Sequence, residues 1–349
     1  MKISIGERLV GQYERPYLIA EMSGNHNQSL ARALEIVERA AASGADAVKL
    51  QTYTAETMTL NIRAPGFVID DEKSLWAGRQ LFDLYREAYT PWEWHEPIIK
   101  RAADLGLQCF STPFDDSAVD FLENLGVPAY KIASFEVIDI PLIRRVARTG
   151  KPVIISTGMA TAAEIDEAVR AVRGEGNNQI VLLKCTSTYP ARPLNTNLRT
   201  IPSLRDTFNC EVGLSDHTMG CGVAVAAVAF GAVVIEKHFT LSRADGGVDS
   251  TFSLEPDEFQ TLRAETERAW QGLGEVVYGG TAAESKSRVF RRSLYISRDI
   301  KAGDRLTEKN LRAVRPGFGL PPSAIDVVMG KRVNRDLVAG TPLAWEHIG

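Results

Sequence analysis

No apolar run in this chain of 349 residues approaches the roughly 18 residues that a membrane-crossing helix needs, so the sequence offers no transmembrane helix. Cysteine is scarce. The four, Cys109, Cys185, Cys210 and Cys221, show no CxxC spacing. That excludes a zinc ribbon or a dithiol redox motif and predicts reduced, buried thiols. Neither sign of charge dominates: 40 Lys and Arg against 44 Asp and Glu give a net charge of −4, spread along the chain. A nucleic-acid or membrane partner therefore has no electrostatic footprint, although a local basic pocket stays open. The opening residues, "MKISIGERLVG", lack the long apolar core and cleavage pattern of a signal peptide, and the expected location is cytoplasmic. Histidine is nearly as scarce as cysteine, with five copies, which makes the placement of each informative.

What is present is the composition of an ordinary globular protein, 44% hydrophobic and 24% charged, long enough for one large and one small domain. Eight short apolar or β-branched runs recur through the first 240 residues, at 17–22, 46–52, 107–114, 129–134, 152–157, 180–185, 212–217 and 233–238. Most are continuously apolar, as in strands buried on both faces. Helical patterns separate them. Leu30, Leu34, Val37 and Ala41 share one face with Gly44 as a C-cap; Val119, Leu122 and Leu125 repeat the pattern; Thr161 and Glu164 form a capping box. The run "VAVAAVAFGA" is apolar all round and predicts a packed barrel helix. Eight alternating units predict a (β/α)8 barrel; the alternative, an open doubly wound sheet, is disfavoured by the count of eight. Residues 53–95 are long for a βα connection and predict an excursion over the C-terminal face of the strands.

The barrel domain is placed at 1–278 and a polar linker at 279–290. The remainder, 291–349, carries an internal echo: "SRDIKAGDRL" at 297–306 returns as "NRDLVAGTPL" at 334–343. Two copies of a strand and turn predict a small pseudo-symmetric β domain whose core is marginal alone.

In a barrel, chemistry gathers at the C-terminal ends of the strands. All eight runs end in polar groups: Glu21; Lys49 and Gln51; "STPFD"; Lys131 and Ser134; Ser156, Thr157 and Gly158; Lys184; Ser215, Asp216 and His217; Glu236 and His238. Lys49, Lys131 and Lys184 are cations inside apolar strands, where an unpaired charge is costly. Beside serine and threonine hydroxyls they suit a phosphate or carboxylate; internal ion pairs with Glu21, Asp216 and Glu236 are the alternative. Alternation puts Glu236 and His238 on one face and Lys237 on the other. His217 and His238 then stand at adjacent strand ends. A lone histidine there is more often a general base or a satisfied polar group, but two on neighbouring strands point to one metal ion. Two protein ligands leave positions for water and substrate, as a Lewis acid needs. His26 is a weaker candidate, and His95 and His347 read as structural.

The stretches "AEMSGNHNQSLARALEIVERAAASGADAVKLQTY", "YKIASFE", "IISTGMA", "LLKCTSTYP", "GLSDHTMG" and "VIEKHFTLSRADGGVDSTFSLEPDEF" resemble the sialic acid synthase family. The tail "RRSLYISRDIKAGDRLTEKNLRAVRPGFG" is similar to that family's antifreeze-like (SAF) domain. The resemblance implies an enzyme that condenses phosphoenolpyruvate with an open-chain N-acetylated amino sugar and water, with phosphate leaving by C–O cleavage. It implies a divalent metal, Mn²⁺ foremost with Mg²⁺ or Co²⁺ possible, on His217 and His238. It places phosphoenolpyruvate on Lys49 and Lys131 with Ser134, Ser156 and Ser215, and it matches Tyr189. Glu21 and Asp249 fall near sugar hydroxyls, with Gln51 beside them, and Glu236 would position or deprotonate water. Where many N-acetylneuraminate synthases have asparagine this chain has Ser187, and Lys184 stands where they often have histidine. The family exchanges its tail domain across a homodimer, which would bring Arg315 to the partner's sugar. "IASFE", "KCTSTYP", "GGVDSTFSL" and "LYREAYTPWEWH" resemble the branch that makes pseudaminic acid from 2,4-diacetamido-2,4,6-trideoxy-L-altrose, with Phe135 adding apolar surface. Legionaminate and N-acetylneuraminate synthases are the alternatives. A Schiff-base aldolase and a tail that binds ice or glycan are more distant ones.

Overall fold

A computed structural model describes residues 3–72 and 74–349. The chain divides into two compact units, Met1–Gly274 and Glu275–Gly349.

The first unit opens with a hairpin, β1 (Ile3–Ile5) and β2 (Arg8–Val10). Ile3, Ile5 and Val10 join the main core, and Gly6 turns the chain at φ +60°. Eight parallel strands then close a barrel: β3 (Tyr17–Glu21), β4 (Ala47–Thr52), β5 (Gln108–Pro113), β6 (Tyr130–Ile132), β7 (Val153–Ser156), β8 (Ile180–Cys185), β9 (Glu211–Ser215) and β10 (Val234–His238), with β10 pairing back onto β3. Strands buried on both faces explain the continuous apolar runs. Each barrel strand lies inside its predicted run or within a residue of it.

The helices form as their sequences dictate. Thr161 and Glu164 cap the helix Ala162–Gly174 reciprocally. On the helix Leu30–Ala42 the deepest residues are Ala33, Ile36, Val37 and Ala40, while the predicted Leu30, Leu34 and Ala41 lie at the flanks. Small alanines let that helix approach the strands closely. The excursion after β4 is not a bare loop. It holds short helices at Ala55–Met58 and Leu81–Ala88 and returns through Trp92–Trp94 into the helix His95–Asp104. The helix Gly222–Ala229 buries Ala224, Ala227 and Val228 and leaves Val223 and Val225 half-buried. Among the described residues no helix is long and apolar enough to cross a membrane. Cys109, Cys185 and Cys210 are buried free thiols, and Cys221 is half-buried.

In the second unit β11 (Ser293–Ile296) pairs with β12 (Leu311–Val314) over a core that includes Leu294, Leu306, Val328 and Leu343. The sequence echo is a structural one. Ile300 and Leu337 exchange backbone hydrogen bonds at 2.9 and 3.0 Å. Asp299 Oδ1 accepts from Ala339 N, and Asp336 Oδ1 accepts from Ala302 N. Each aspartate of the repeat thus caps the other copy's Ala-Gly turn.

Candidate active site

Side-chain alternation on neighbouring strands gathers one polar cluster at the C-terminal end of the barrel. Glu21 on β3 pairs in register with Lys49 on β4 and His238 on β10, and Glu236 pairs with Ser215 on β9. Lys49 Nζ lies 2.6 Å from Glu21 and 4.0 Å from Glu236, and donates to Thr112 Oγ1. Lys131 Nζ donates to Ser156 Oγ at 2.7 Å and lies 3.8 Å from Glu236. Ser215 Oγ donates to Glu236 Oε1 at 3.2 Å; Glu236 Oε2 has no hydrogen-bond partner. Gln51 donates to Glu21 Oε1 at 2.9 Å. All of these except half-buried Gln51 are buried.

The environment drives the two carboxyls apart. Burial, reinforced by Glu236, pushes Glu21 up to about 7 against the pull of Lys49. Glu236 is equally buried, yet Lys131, Lys49 and His217 hold it below the ordinary carboxylate range. Near neutral pH Glu236 is ionised, and Glu21 is the carboxyl of the two that more readily takes a proton. Burial lowers Lys131, with Glu236 opposing; Lys49 remains above its ordinary value because Glu21 and Glu236 outweigh burial.

One cation predicted for the anion cluster, Lys184, separates from it. Lys184 lies on the opposite face of β8 from Cys185 and donates to the Cys185 carbonyl and Thr186 Oγ1. Lys237 points to the helical side, paired with Asp216 at 2.9 Å and donating to the carbonyls of Thr218 and Gly220. The cluster therefore contains two lysines, not three. Its pairing with Glu21 and Glu236 is the internal ion pairing that the sequence left as the alternative.

The rings of His217 and His238 lie 5.3 Å apart. His217 Nδ1 bonds the carbonyl of Thr186 at 3.0 Å, which makes Nδ1 a protonated nitrogen and leaves Nε2 free to ligate. His238 Nδ1 is buried with no hydrogen-bond partner. Burial, then His217 and nearby lysines, hold His238 neutral, well below the usual imidazole range. With the proton of its Nε2 lost, His217 can join His238, the ring centroids 5.3 Å apart, in offering a divalent metal two protein ligands. Among the described residues no group of three or more His, Cys, Asp or Glu side chains is disposed to hold an ion.

Tyr189 packs on His217 at 4.6 Å, and Phe252 packs on His238 at 4.8 Å. Asp249 is buried and accepts from Ser23 Oγ. Ser134 and Ser187 face each other across Gly158, whose φ is +29°; a Cβ there would stand 2.5 Å from Ser134 Cβ and 2.7 Å from each serine hydroxyl. Phe135 is 59% exposed. Arg315 lies in the second unit, exposed and without a hydrogen-bond or ion-pair partner among the described residues. His26 and His95 hold the excursion by bonds to Thr90 and Thr52, and His347 accepts from Ala344 N.

Sequence reasoning missed two groups. Cys185, 4.0 Å from His217 Nδ1, follows from the parity of β8. Glu136 lies beyond β6, where no strand periodicity applies. Its Oε2 is buried and unpaired, and burial pushes it up to about 7 despite Lys131. Its proton is retained by the folded chain after the unfolded chain has lost it, so stability falls as pH rises from the ordinary glutamate range to about 7, then levels. Glu136→Gln removes that loss. Relative to the parent it gains on the order of 2 kcal/mol at pH 8 and nothing at pH 4.5, read as paired unfolding curves.

A closed eight-stranded barrel whose strand ends gather lysines, carboxyls and paired histidines has the arrangement of a barrel enzyme. The comparisons take this further. The NeuB family profile matches residues 36–278 and the SAF domain profile residues 291–349. The pseudaminic acid synthase of Campylobacter jejuni is 44% identical over 330 residues, covering 95% of this chain and 96% of its own. That of Helicobacter pylori is 41% identical, covering 95% and 98%. The N,N'-diacetyllegionaminic acid synthase of Legionella pneumophila is 37% identical, covering 95% and 94%. Among solved structures, the N-acetylneuraminic acid synthetase of Leptospira borgpetersenii, in complex with citrate, superposes with a TM-score of 0.73 at 32% identity, over 82% of this chain and 95% of that one. The chain belongs to the NeuB family of sialic acid synthases and is an enzyme.

Proposed function

We propose that the protein condenses phosphoenolpyruvate with 2,4-diacetamido-2,4,6-trideoxy-L-altrose and water, giving pseudaminic acid and phosphate. The observation that carries this reading is the convergence of Lys49, Lys131 and the serine hydroxyls on the strand ends that hold His217 and His238. The relatives named pseudaminic acid synthase, at 41–44% identity, support this sugar over the legionaminic precursor, whose synthases stand at 37%.

Lys49 and Lys131 neutralise the phosphate and carboxylate of phosphoenolpyruvate, and Ser134, Ser156, Ser187 and Ser215 donate to them. C3 of phosphoenolpyruvate bonds to the aldehyde carbon with the electron pair of its C2–C3 double bond, which leaves C2 electron-deficient. Glu21, protonated in part, delivers a proton to the aldehyde oxygen as it becomes a hydroxyl, held in place by Gln51. Glu236 takes one proton of the water that adds to C2; the new C2 hydroxyl then becomes the keto oxygen as the C2–O bond to phosphate breaks, with that bond's electron pair and the hydroxyl proton leaving on phosphate. A divalent ion on His217 and His238, Mn²⁺ by preference, would supply Lewis-acid polarisation of the aldehyde. Asp249 and Tyr189 line the sugar side. In this reading Arg315 comes from the partner of a homodimer with exchanged tail domains. The exposed apolar side chains Phe135, Ile138, Met159 and Met219, on the loops following β6, β7 and β9, support a covered C-terminal face. Free buried thiols, and the lack of a spanning helix among the described residues, are compatible with a cytoplasmic enzyme.

The test is phosphate release from phosphoenolpyruvate with Mn²⁺, offering the altrose derivative and N-acetylmannosamine in parallel. Release with the altrose derivative alone is expected. Release with the mannosamine alone would move the enzyme to another branch. Gly158→Ala provides a second check. Its Cβ displaces Ser134 and Ser187, so the KM for phosphoenolpyruvate rises about tenfold or more, and the overpacking at a positive φ also lowers Tm by a few degrees.

A further inference from the structure

The excursion after β4 carries a feature that the reaction as described does not use. Backbone bonds pair Ile69 with Arg79 and Gly78, and Leu81 with Phe67, so 67–69 and 78–81 form the two arms of a small hairpin. Trp76 lies near its tip, half-buried. Its Nε1–H donates to the carbonyl of Val248 at 3.1 Å, and its ring packs on Tyr189 at 5.8 Å. Val248 immediately precedes Asp249, and Tyr189 packs on His217. One side chain thus ties the tip of the excursion to the two groups assigned to the sugar side. The groups assigned to phosphoenolpyruvate lie on β4 and β6, at the ends of β7 and β9, and in the loops after β6 and β8. None of them touches Trp76 by hydrogen bond or ring contact.

We infer that Trp76 is a positioning residue for sugar recognition: it buttresses the Tyr189 ring and fixes the Val248–Asp249 backbone, setting the wall against which the amino sugar binds. The inference rests on the proposed reaction. It follows from the contacts that Trp76 governs affinity for the sugar and leaves affinity for phosphoenolpyruvate alone. An indole is suited to this because it offers a broad ring for Tyr189 and one N–H at its edge for the carbonyl.

The experiment compares wild type, Trp76→Ala and Trp76→Phe by phosphate release at varied sugar and varied phosphoenolpyruvate. Trp76→Ala is expected to raise the KM for the altrose derivative tenfold or more with the KM for phosphoenolpyruvate within twofold of wild type. Trp76→Phe, which keeps a ring against Tyr189 but loses the bond to Val248, falls between. A sugar KM within twofold of wild type in Trp76→Ala overturns the inference. So does an equal rise in both KM values, since that marks a general loosening of the face. If Trp76→Ala does not fold, the same criterion applied to Trp76→Phe decides, with a threefold rise in sugar KM as the supporting result. Wild type that releases no phosphate with either sugar overturns the proposed reaction itself, and that outcome is distinct from an unaltered sugar KM.

Discussion

His238→Ala abolishes metal-dependent condensation, with kcat falling by about 10³-fold or more, and His217→Ala does the same. The expectation follows from how little else these rings do. His238 Nδ1 is buried without a partner, an arrangement that costs on the order of 1–3 kcal/mol unless an ion or ligand satisfies it. His217 is different: its Nδ1 is committed to the Thr186 carbonyl, which orients Nε2 as the free nitrogen. Two readouts separate ligation from folding. Saturating Mn²⁺ raises the Tm of wild type, because an ion bound only by the folded chain stabilises it by mass action, and this increment disappears in either variant. Without metal, His238→Ala loses at most a few kcal/mol from the cavity left by the ring. Near-native turnover in either variant would remove the metal from these residues.

The barrel was legible because strands buried on both faces leave unbroken apolar runs, and eight such runs end in polar groups. Glu236, Lys237 and His238 show why alternation was informative: one peptide sends the middle side chain out to Asp216 and the flanking two inward. The same rule, applied to β8, would have turned Lys184 outward and Cys185 inward; apolar pattern alone overlooked it. The opening hairpin escaped notice because "ISI" and "RLV" are only three residues each, too short for periodicity to register. Contacts between loops were out of reach. Glu136, Trp76 with Val248, and Ser134 facing Ser187 across Gly158 are set by where chain segments meet in space, and no local spacing encodes them. Arg315 entered only through resemblance, since an exposed arginine on a small β domain carries no signal of its own.

Glu236→Gln lowers kcat by about 10²- to 10⁴-fold while leaving the KM for phosphoenolpyruvate unchanged or lower at pH 7. Glutamine keeps the shape and can still accept from Ser215 Oγ, but it cannot take a proton from water. It also removes the negative charge lying 3.8 Å from Lys131 and 4.0 Å from Lys49, so an anionic substrate meets a more positive site. The same change has an opposite consequence at higher pH. Burial already lowers Lys131, and Glu236 is the largest influence holding it up. Without that carboxylate Lys131 loses its proton at lower pH, and affinity for phosphoenolpyruvate declines earlier on the alkaline side than in wild type. Glu21 moves as well: with Glu236 neutral, one of the two causes that raise it is gone, so it becomes more acidic and holds less proton at pH 7. A purely structural role for Glu236 would lower kcat and raise KM together at every pH. The expected split, lower kcat with retained affinity at neutral pH and lost affinity on the alkaline side, is measured by full kinetics in phosphoenolpyruvate between pH 6 and 9.5. Retention of wild-type kcat at pH 7 would assign proton removal from water to another group, with Glu21 the next carboxyl to replace.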